Sequence, residues 1–339
     1  MATWKYTKGV HDLGNGLYAW LQPDGTWGYS NSGLVVDGDR TLLVDTLFDL
    51  KLTREMLDGY ARAVPKSKNI EALVNTHANG DHTFGNQLVK GARIIASKGC
   101  AEEMSERRPE DRSKIAREWQ QNGPMGQWIH HIYGGKFDFE GVSYTPPTET
   151  FEREMQLQVG DKAVRLVEVG PAHTRGDVLV FVPADKTVFT GDILFNGGHP
   201  AIWAGPVRNW IRACDTILGW DVETIVPGHG PICDKQAVQN LRGYFVELDA
   251  ATRQRYVAGL SEEDTVAELL AAGFFDAWSD AERVVINVNA LYREYSGGTL
   301  KTDPQELYER IAAYRAAHLS RHAEGGCPHC DGKSDGHPH

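Results

Sequence analysis

One stretch constrains the chain more than any other: Val74-Asn75-Thr76-His77-Ala78-Asn79-Gly80-Asp81-His82-Thr83-Phe84-Gly85-Asn86. The apolar-rich run from Ile70 to Val74 reads as a buried strand, so the polar cluster after it falls at the strand's carboxyl end, where a turn leads into a helix. Open α/β sheets collect their sites at such ends. His77, Asp81 and His82 follow closely on one another there, and Gly80 gives the backbone the freedom to aim them at one point. Imidazole and carboxylate suit a borderline metal ion such as zinc, and also iron or manganese. A His pair in a loop can equally be surface chemistry, so this stretch alone does not decide.

Repetition decides it. Val164 to Val169 leads into Gly170-Pro171-Ala172-His173, Thr187 to Thr190 into Gly191-Asp192, and Thr224 to Val226 into Pro227-Gly228-His229-Gly230. Each repeats the layout of apolar strand, turn glycine and N or O donor. The ordered set HxNGDH, His173, Thr-Gly-Asp192 and Pro-Gly-His229-Gly resembles the metallo-β-lactamase superfamily of αββα metallohydrolases, over roughly residues 10 to 235.

That resemblance implies an α/β fold: a four-layer αββα sandwich, here followed by a C-terminal all-α extension. It implies two divalent metal ions, zinc first and iron or manganese as alternatives. His77 and His173 would serve one ion, Asp81, His82 and His229 the other, and Asp192 would bridge them. Asp81 would also be the catalytic residue, orienting a metal-bound hydroxide and accepting its proton. Asp45, which ends the strand Leu42-Leu43-Val44, would lie beneath the site; a turn or helix-capping acid is the alternative reading. The chain departs from the family's usual HxHxDH at Asn79. A neutral amide oxygen is a poorer zinc ligand than imidazole, so the first ion would keep His77, His173 and Asp192 plus water or a weak Asn79 contact, and is expected to bind more weakly than the second, or to prefer iron or manganese.

The remainder sets limits. At 339 residues with 41% hydrophobic composition, the chain can bury a full core in one large domain plus an appendage. A formal net charge of −11 argues against a nucleic-acid partner, so a small-molecule substrate must be drawn locally. The opening Met1-Ala2-Thr3-Trp4-Lys5-Tyr6 lacks an apolar leader, and no membrane-spanning run follows, so a soluble cytoplasmic protein without a membrane partner is expected. Five cysteines, with Cys100, Cys214 and Cys233 scattered, fit a reducing compartment rather than a disulfide framework.

Organisation follows from patterning. Residues 1–235 read as the catalytic domain, with 97–150 an insertion forming a lid or pocket wall, containing helices near Ala101–Arg107 and Asp111–Gln121. His130-His131 within it is given a surface or core role, since no second motif flanks the pair. Residues 236–324 read as helices only. The stretch Asn287-Val288-Asn289-Ala290-Leu291-Tyr292-Arg293-Glu294-Tyr295 is similar to the dimerisation segment of alkylsulfatase-like members, which implies a homodimer; packing on the chain's own core is the competing account. Residues 325–339, with Cys327 and Cys330, are expected to be a disordered tail.

The function expected is a metal-dependent hydrolase acting on an ester, lactone, thioester, amide or sulfate ester. A di-metal iron oxidoreductase and a non-catalytic binding protein on the same fold are the alternatives. Asn196, His199 and Trp203, on a Gly/Pro-rich loop after the bridging acid, are candidates for substrate contact.

Overall fold

A computed structural model describes residues 4–324, with side chains to residue 315. Two mixed sheets face one another. The first has β1 (Gly9–Gly14), β2 (Leu17–Leu21), β3 (Ser32–Asp37), β4 (Arg40–Val44), β5 (Ala72–Val74), β6 (Arg93–Ser97) and β7 (Glu149–Phe151), in sequential order. Its first four strands pair antiparallel and its last three add in parallel. The second sheet has β8 (Glu154–Val159), β9 (Lys162–Glu168), β10 (Val178–Val182), β11 (Thr187–Phe189) and β12 (Thr224–Val226), where β11 and β12 pair in parallel. The same-direction pairs β4-β5 and β11-β12 bring several strand ends to one edge.

Strand periodicity explains the layering. Leu42 and Val44 of β4 point inward, with Val74 and Ile95, onto Val164, Leu166, Val178, Val180 and Phe189 of the second sheet. Leu43 points outward, with Leu34 and Leu73, onto Leu52, Met56 and Tyr60 of α1 (Leu50–Ala63). The opposite parity of the second sheet, Leu179, Phe181, Val188 and Ile225, meets Trp210, Cys214 and Ile217 of α6 (Val207–Gly219). Strands buried on both faces need apolar residues in succession, and β10 is Val-Leu-Val-Phe-Val. The result is the expected helix, sheet, sheet, helix stack.

Two strands escape the sequence pattern. β1, Gly-Val-His-Asp-Leu-Gly, is an exposed edge without apolar alternation, and β7 is short. The insertion holds α3 (Lys98–Glu106), α4 (Pro109–Arg117) and α5 (Gly123–Tyr133); the second expected helix stops at Arg117, and α5 was not expected. Its Gly123-Pro124 start looks like a turn, yet proline is compatible with a first helical turn, where its missing N–H costs no intrahelical bond.

The C-terminal helices are α7 (Lys235–Val257), α8 (Glu262–Ala271), α9 (Arg283–Tyr295) and α10 (Pro304–Glu324). They do not form a core of their own: Tyr244, Val284, Val288, Leu291 and Ile311 join one apolar cluster with the outer face of the second sheet and with Trp128 and Ile129 of α5. The stripe on α9 therefore packs on its own chain. Asn287, fully buried, locks it by donating to the Pro200 carbonyl and accepting from the Ile202 amide. No described helix is long and apolar enough to cross a membrane. The Cys327/Cys330 segment lies outside the described residues.

Candidate metal centre and active site

The strand-end donors converge. His77 follows β5, Asp81 and His82 sit in the single helical turn Gly80–Thr83, His173 follows β9, Asp192 follows β11 and His229 follows β12. Asp192 lies at the middle: its Oδ1 is 3.1 Å from His82 Nε2, and its Oδ2 is 3.7, 3.3 and 3.4 Å from Nε2 of His77, His173 and His229. Asp81 Oδ2 lies 3.3 Å from His229 Nε2. Gly228 passes so close that a β-carbon there would run into Asp192 Oδ1, which is why this turn requires glycine.

Each imidazole is pinned by its other nitrogen. His82 Nδ1 donates to Asp45 Oδ2 at 2.9 Å, His173 Nδ1 to the Ala201 carbonyl at 2.7 Å, and His229 Nδ1 to the Gly25 carbonyl at 3.0 Å. His77 Nδ1 meets the Thr76 hydroxyl at 3.0 Å, and that hydroxyl already donates to Asp45, so it accepts from His77. All four Nε2 atoms thereby face carboxylate oxygens, as lone pairs where the ring is neutral and as N–H donors where it is protonated. Lone pairs facing lone pairs repel unless a cation stands between them. His77 Nε2, His82 Nε2 and Asp192 Oδ1 are buried with no hydrogen-bond partner, as expected of atoms reserved for a metal ion. Two groups of donors at this floor lie close enough to share a divalent ion, Asp81 with His82 and His229, and His77 with His173 and Asp192; Asp192 also approaches His82 and His229, so it stands between the two.

Charge states agree. Burial, against partial relief from Asp192, holds His77 well below the ordinary histidine value and takes His173 to about 4, so both are neutral ligands. At His229 burial is outweighed by Asp192 and Asp81, which raise it to about 9; Asp192 and Asp45 likewise raise His82. Burial opposes ionisation of Asp81, but the hydrogen bond from His229 and the neighbouring imidazolium charges hold it at about 2. Without a metal ion, protons on His82 and His229 do part of its electrostatic work.

Asp45 is the support beneath. It sits at φ +61° directly after β4, a left-handed conformation that Asp tolerates better than most residues, and so turns its carboxylate under the site. There it takes the Thr76 amide and hydroxyl at 2.7 Å each as well as His82. Buried and bonded in this way, Asp45 holds the Thr76 side chain and the His82 ring in place from below.

Asn79 stands at the rim. Its Nδ2 is 2.9 Å from His173 Nε2, and its Oδ1 accepts from Arg107 Nη1 of the insertion at 3.0 Å.

Above this floor lies a cavity of about 580 Å³, lined by residues of α4, α5, α9 and α10. Trp27, Trp128, Tyr133, Phe195, Trp203 and Tyr308 supply aromatic surface. Arg283 lies over the rings of Trp27 and Phe195 at 4.2 and 5.1 Å, and Phe195 stacks on His229 at 5.1 Å. Arg112 enters the cavity over Tyr133, hydrogen-bonded to Tyr308 and within the field of the Asp81 carboxylate.

Of the three substrate-contact candidates, only Trp203 lines this cavity. Asn196 and His199 are corrections. The Asn196 amide donates to the Pro231 carbonyl and braces the turn that carries His229. His199 is fully buried, with Nδ1 3.1 Å from the Tyr244 hydroxyl, facing the α7 layer instead. Nearness in sequence to Asp192 placed them wrongly because the chain turns outward after Phe195. His130 and His131 are exposed; His130 stacks on Trp119, and His131 meets Arg315. Arg107, Arg112, Arg283 and Tyr308 carried no sequence signal of a site.

Comparison with known proteins gives the same class. The model of the Metallo-beta-lactamase superfamily matches residues 25–229, and the chain belongs to that superfamily. Its fold and donor set are those of that superfamily. Among its particular relatives, it is similar to the mitochondrial hydroxyacylglutathione hydrolase of Saccharomyces cerevisiae, 23% identical over 60% of this chain and 62% of that one. A probable metallo-hydrolase of Methanocaldococcus jannaschii is 21% identical over 62% and 93% of the two chains. Three curated relatives are spanned over 37%, 62% and 51% of their own lengths. In fold it is similar to a stereoselective inverting sec-alkylsulfatase from Pseudomonas sp., with TM-score 0.62, 17% identity and coverage of 94% of this chain and 55% of that one. That match extends beyond the sandwich into the C-terminal helices, since the superfamily model ends at residue 229.

Proposed function

We propose that the chain is a metal-dependent hydrolase of an ester-type bond (ester, lactone, thioester, amide or sulfate ester) in a small molecule with an apolar body. The observation that carries this is the set of four histidine Nε2 atoms gathered around Asp192, open on one side to the cavity. Asp81, His82, His229 and Asp192 would hold a divalent ion there, which would supply Lewis-acid chemistry for activating water and polarising the bond to be cleaved. Two imidazoles and two carboxylates at Asp81, His82, His229 and Asp192 suit zinc, and accept iron or manganese.

The residues divide the work. Asp81, reaching the cavity floor and ionised at any pH above about 2, accepts a hydrogen bond from an attacking water and fixes its direction; its low basicity makes it an orienting group more than a store for the proton. The aromatic wall takes the apolar body, and Arg112 gives a donor for a negatively charged or carbonyl group. Names among the relatives and fold neighbours, hydroxyacylglutathione hydrolase and sec-alkylsulfatase, support an ester-type bond without choosing one.

The test is a panel of such substrates with metal-stripped and zinc-reloaded protein. Turnover should vanish on stripping, return with zinc, and be abolished by Asp81→Ala in a protein that keeps its melting profile. Full turnover by Asp81→Ala, or by stripped protein, refutes the reading. Oxygen consumption by iron-loaded protein without hydrolysis would replace it with a redox one.

A further inference from the structure

Asn79 occupies the place of the second histidine in the family's HxHxDH motif, and its surroundings fix which way its amide faces. His173 spends its Nδ1–H on the Ala201 carbonyl at 2.7 Å, so its Nε2 can only accept. The group 2.9 Å away must therefore be the Asn79 N–H end. The other end agrees: Oδ1 accepts from Arg107, which can only donate. Arg107 is itself anchored, 2.6 Å from Glu103, whose buried carboxylate also takes the Arg175 amide at 2.9 Å. Three residues from two segments thus hold the amide with its hydrogens towards the metal centre.

The consequence is a count of donors. At the first metal position the His173 lone pair is taken by Asn79, and Asn79 presents N–H where an imidazole nitrogen would stand. His77 and Asp192 are left, fewer than the three protein ligands that catalytic zinc sites use. The Arg107 guanidinium, bonded directly to Asn79, adds positive charge where a second dication would have to sit. The other position keeps Asp81, His82, His229 and Asp192 entire. We infer that the Arg107–Asn79 pair converts the family's two-ion site into a one-ion centre held by Asp81, His82, His229 and Asp192.

This rests on the reading that the cluster binds a divalent ion, and metal counting separates the two. The full chain, stripped of metal, is titrated with zinc by calorimetry and with cobalt by visible absorption, and bound metal is measured by mass spectrometry after dialysis. One ion per chain is expected, a second binding at least about 100-fold more weakly. Asn79→His should bring the second ion to within about tenfold of the first, and Arg107→Ala, which frees the amide to turn its oxygen inward, should strengthen it by roughly tenfold. His77→Ala should leave the tight ion in place, whereas His229→Ala should remove it. These last two variants keep the inference testable should Asn79→His fail to fold. Two ions of like affinity in the unaltered chain, or loss of the tight ion in His77→Ala, overturn the inference and leave the hydrolase reading standing. Uptake of no ion overturns both.

Discussion

The floor and the roof of the cavity are built on opposite principles. On the floor, each histidine is held by a second bond to a neighbour, Asp45, Ala201, Gly25 or Thr76, and nearly every donor is buried. The roof, from α5, α10 and the loops that carry Trp27 and Trp203, is built chiefly of packed rings, Trp27 against Trp128 and Trp203 near Tyr308. Directional bonds fix atoms to fractions of an ångström; ring packing is tolerant of shape. Chemistry is therefore set by the floor and choice of substrate by the roof, and the two should fail differently when altered.

The floor should fail completely at its centre. Asp192→Ala removes the carboxylate common to all four histidines, and both metal binding and turnover should be lost, read by metal content and by activity on any accepted substrate. One step outward the effect should shrink. Asp45→Asn keeps the size of the support but weakens its hold on His82 and Thr76, and metal affinity should fall about 10- to 100-fold, with turnover restored at saturating metal. Unchanged affinity would mean that the ring of His82 is positioned by packing alone.

The floor was also the legible half. His77, Asp81, His82, His173, Asp192 and His229 each follow an apolar strand within a few residues, so local pattern was enough to assign them to one edge. Their anchors were not: the carbonyls of Gly25 and Ala201 are backbone groups that any residue could supply. The roof was illegible for a different reason. Arg107 reaches Asn79 across 28 residues and Glu282 receives the Trp27 indole N–H across 255, contacts that depend on how the whole chain closes. Helix patterning located α9, but its stripe reads the same whether it faces a partner or its own core.

Protonation sharpens the contrast, because the floor titrates in metal-free protein. His229, raised to about 9, carries a proton below that pH, and a protonated imidazole cannot ligate. Metal binding must displace it, so affinity should rise with pH, by about tenfold per unit for each proton released, and level off above about 9. The raised His82 predicts a second released proton. Calorimetry in buffers of different ionisation enthalpy counts the protons directly, and a count of zero at pH 7 would show that these imidazoles are already neutral.

The roof should give the smallest and most selective effects. Tyr308 lines the cavity from α10, with its ring 5.5 Å from Trp128 and 6.1 Å from Trp203. Tyr308→Phe keeps the ring and removes the hydroxyl that holds Arg112, a loss of about 1 kcal/mol in substrate binding, or roughly fivefold in KM with kcat and metal content unchanged. Trp203→Ala removes wall area as well, and should raise KM most for substrates with the largest apolar bodies. A fall in bound metal in either variant would mean that roof and floor are one mechanical unit, and that the division of labour drawn from their bonding is wrong.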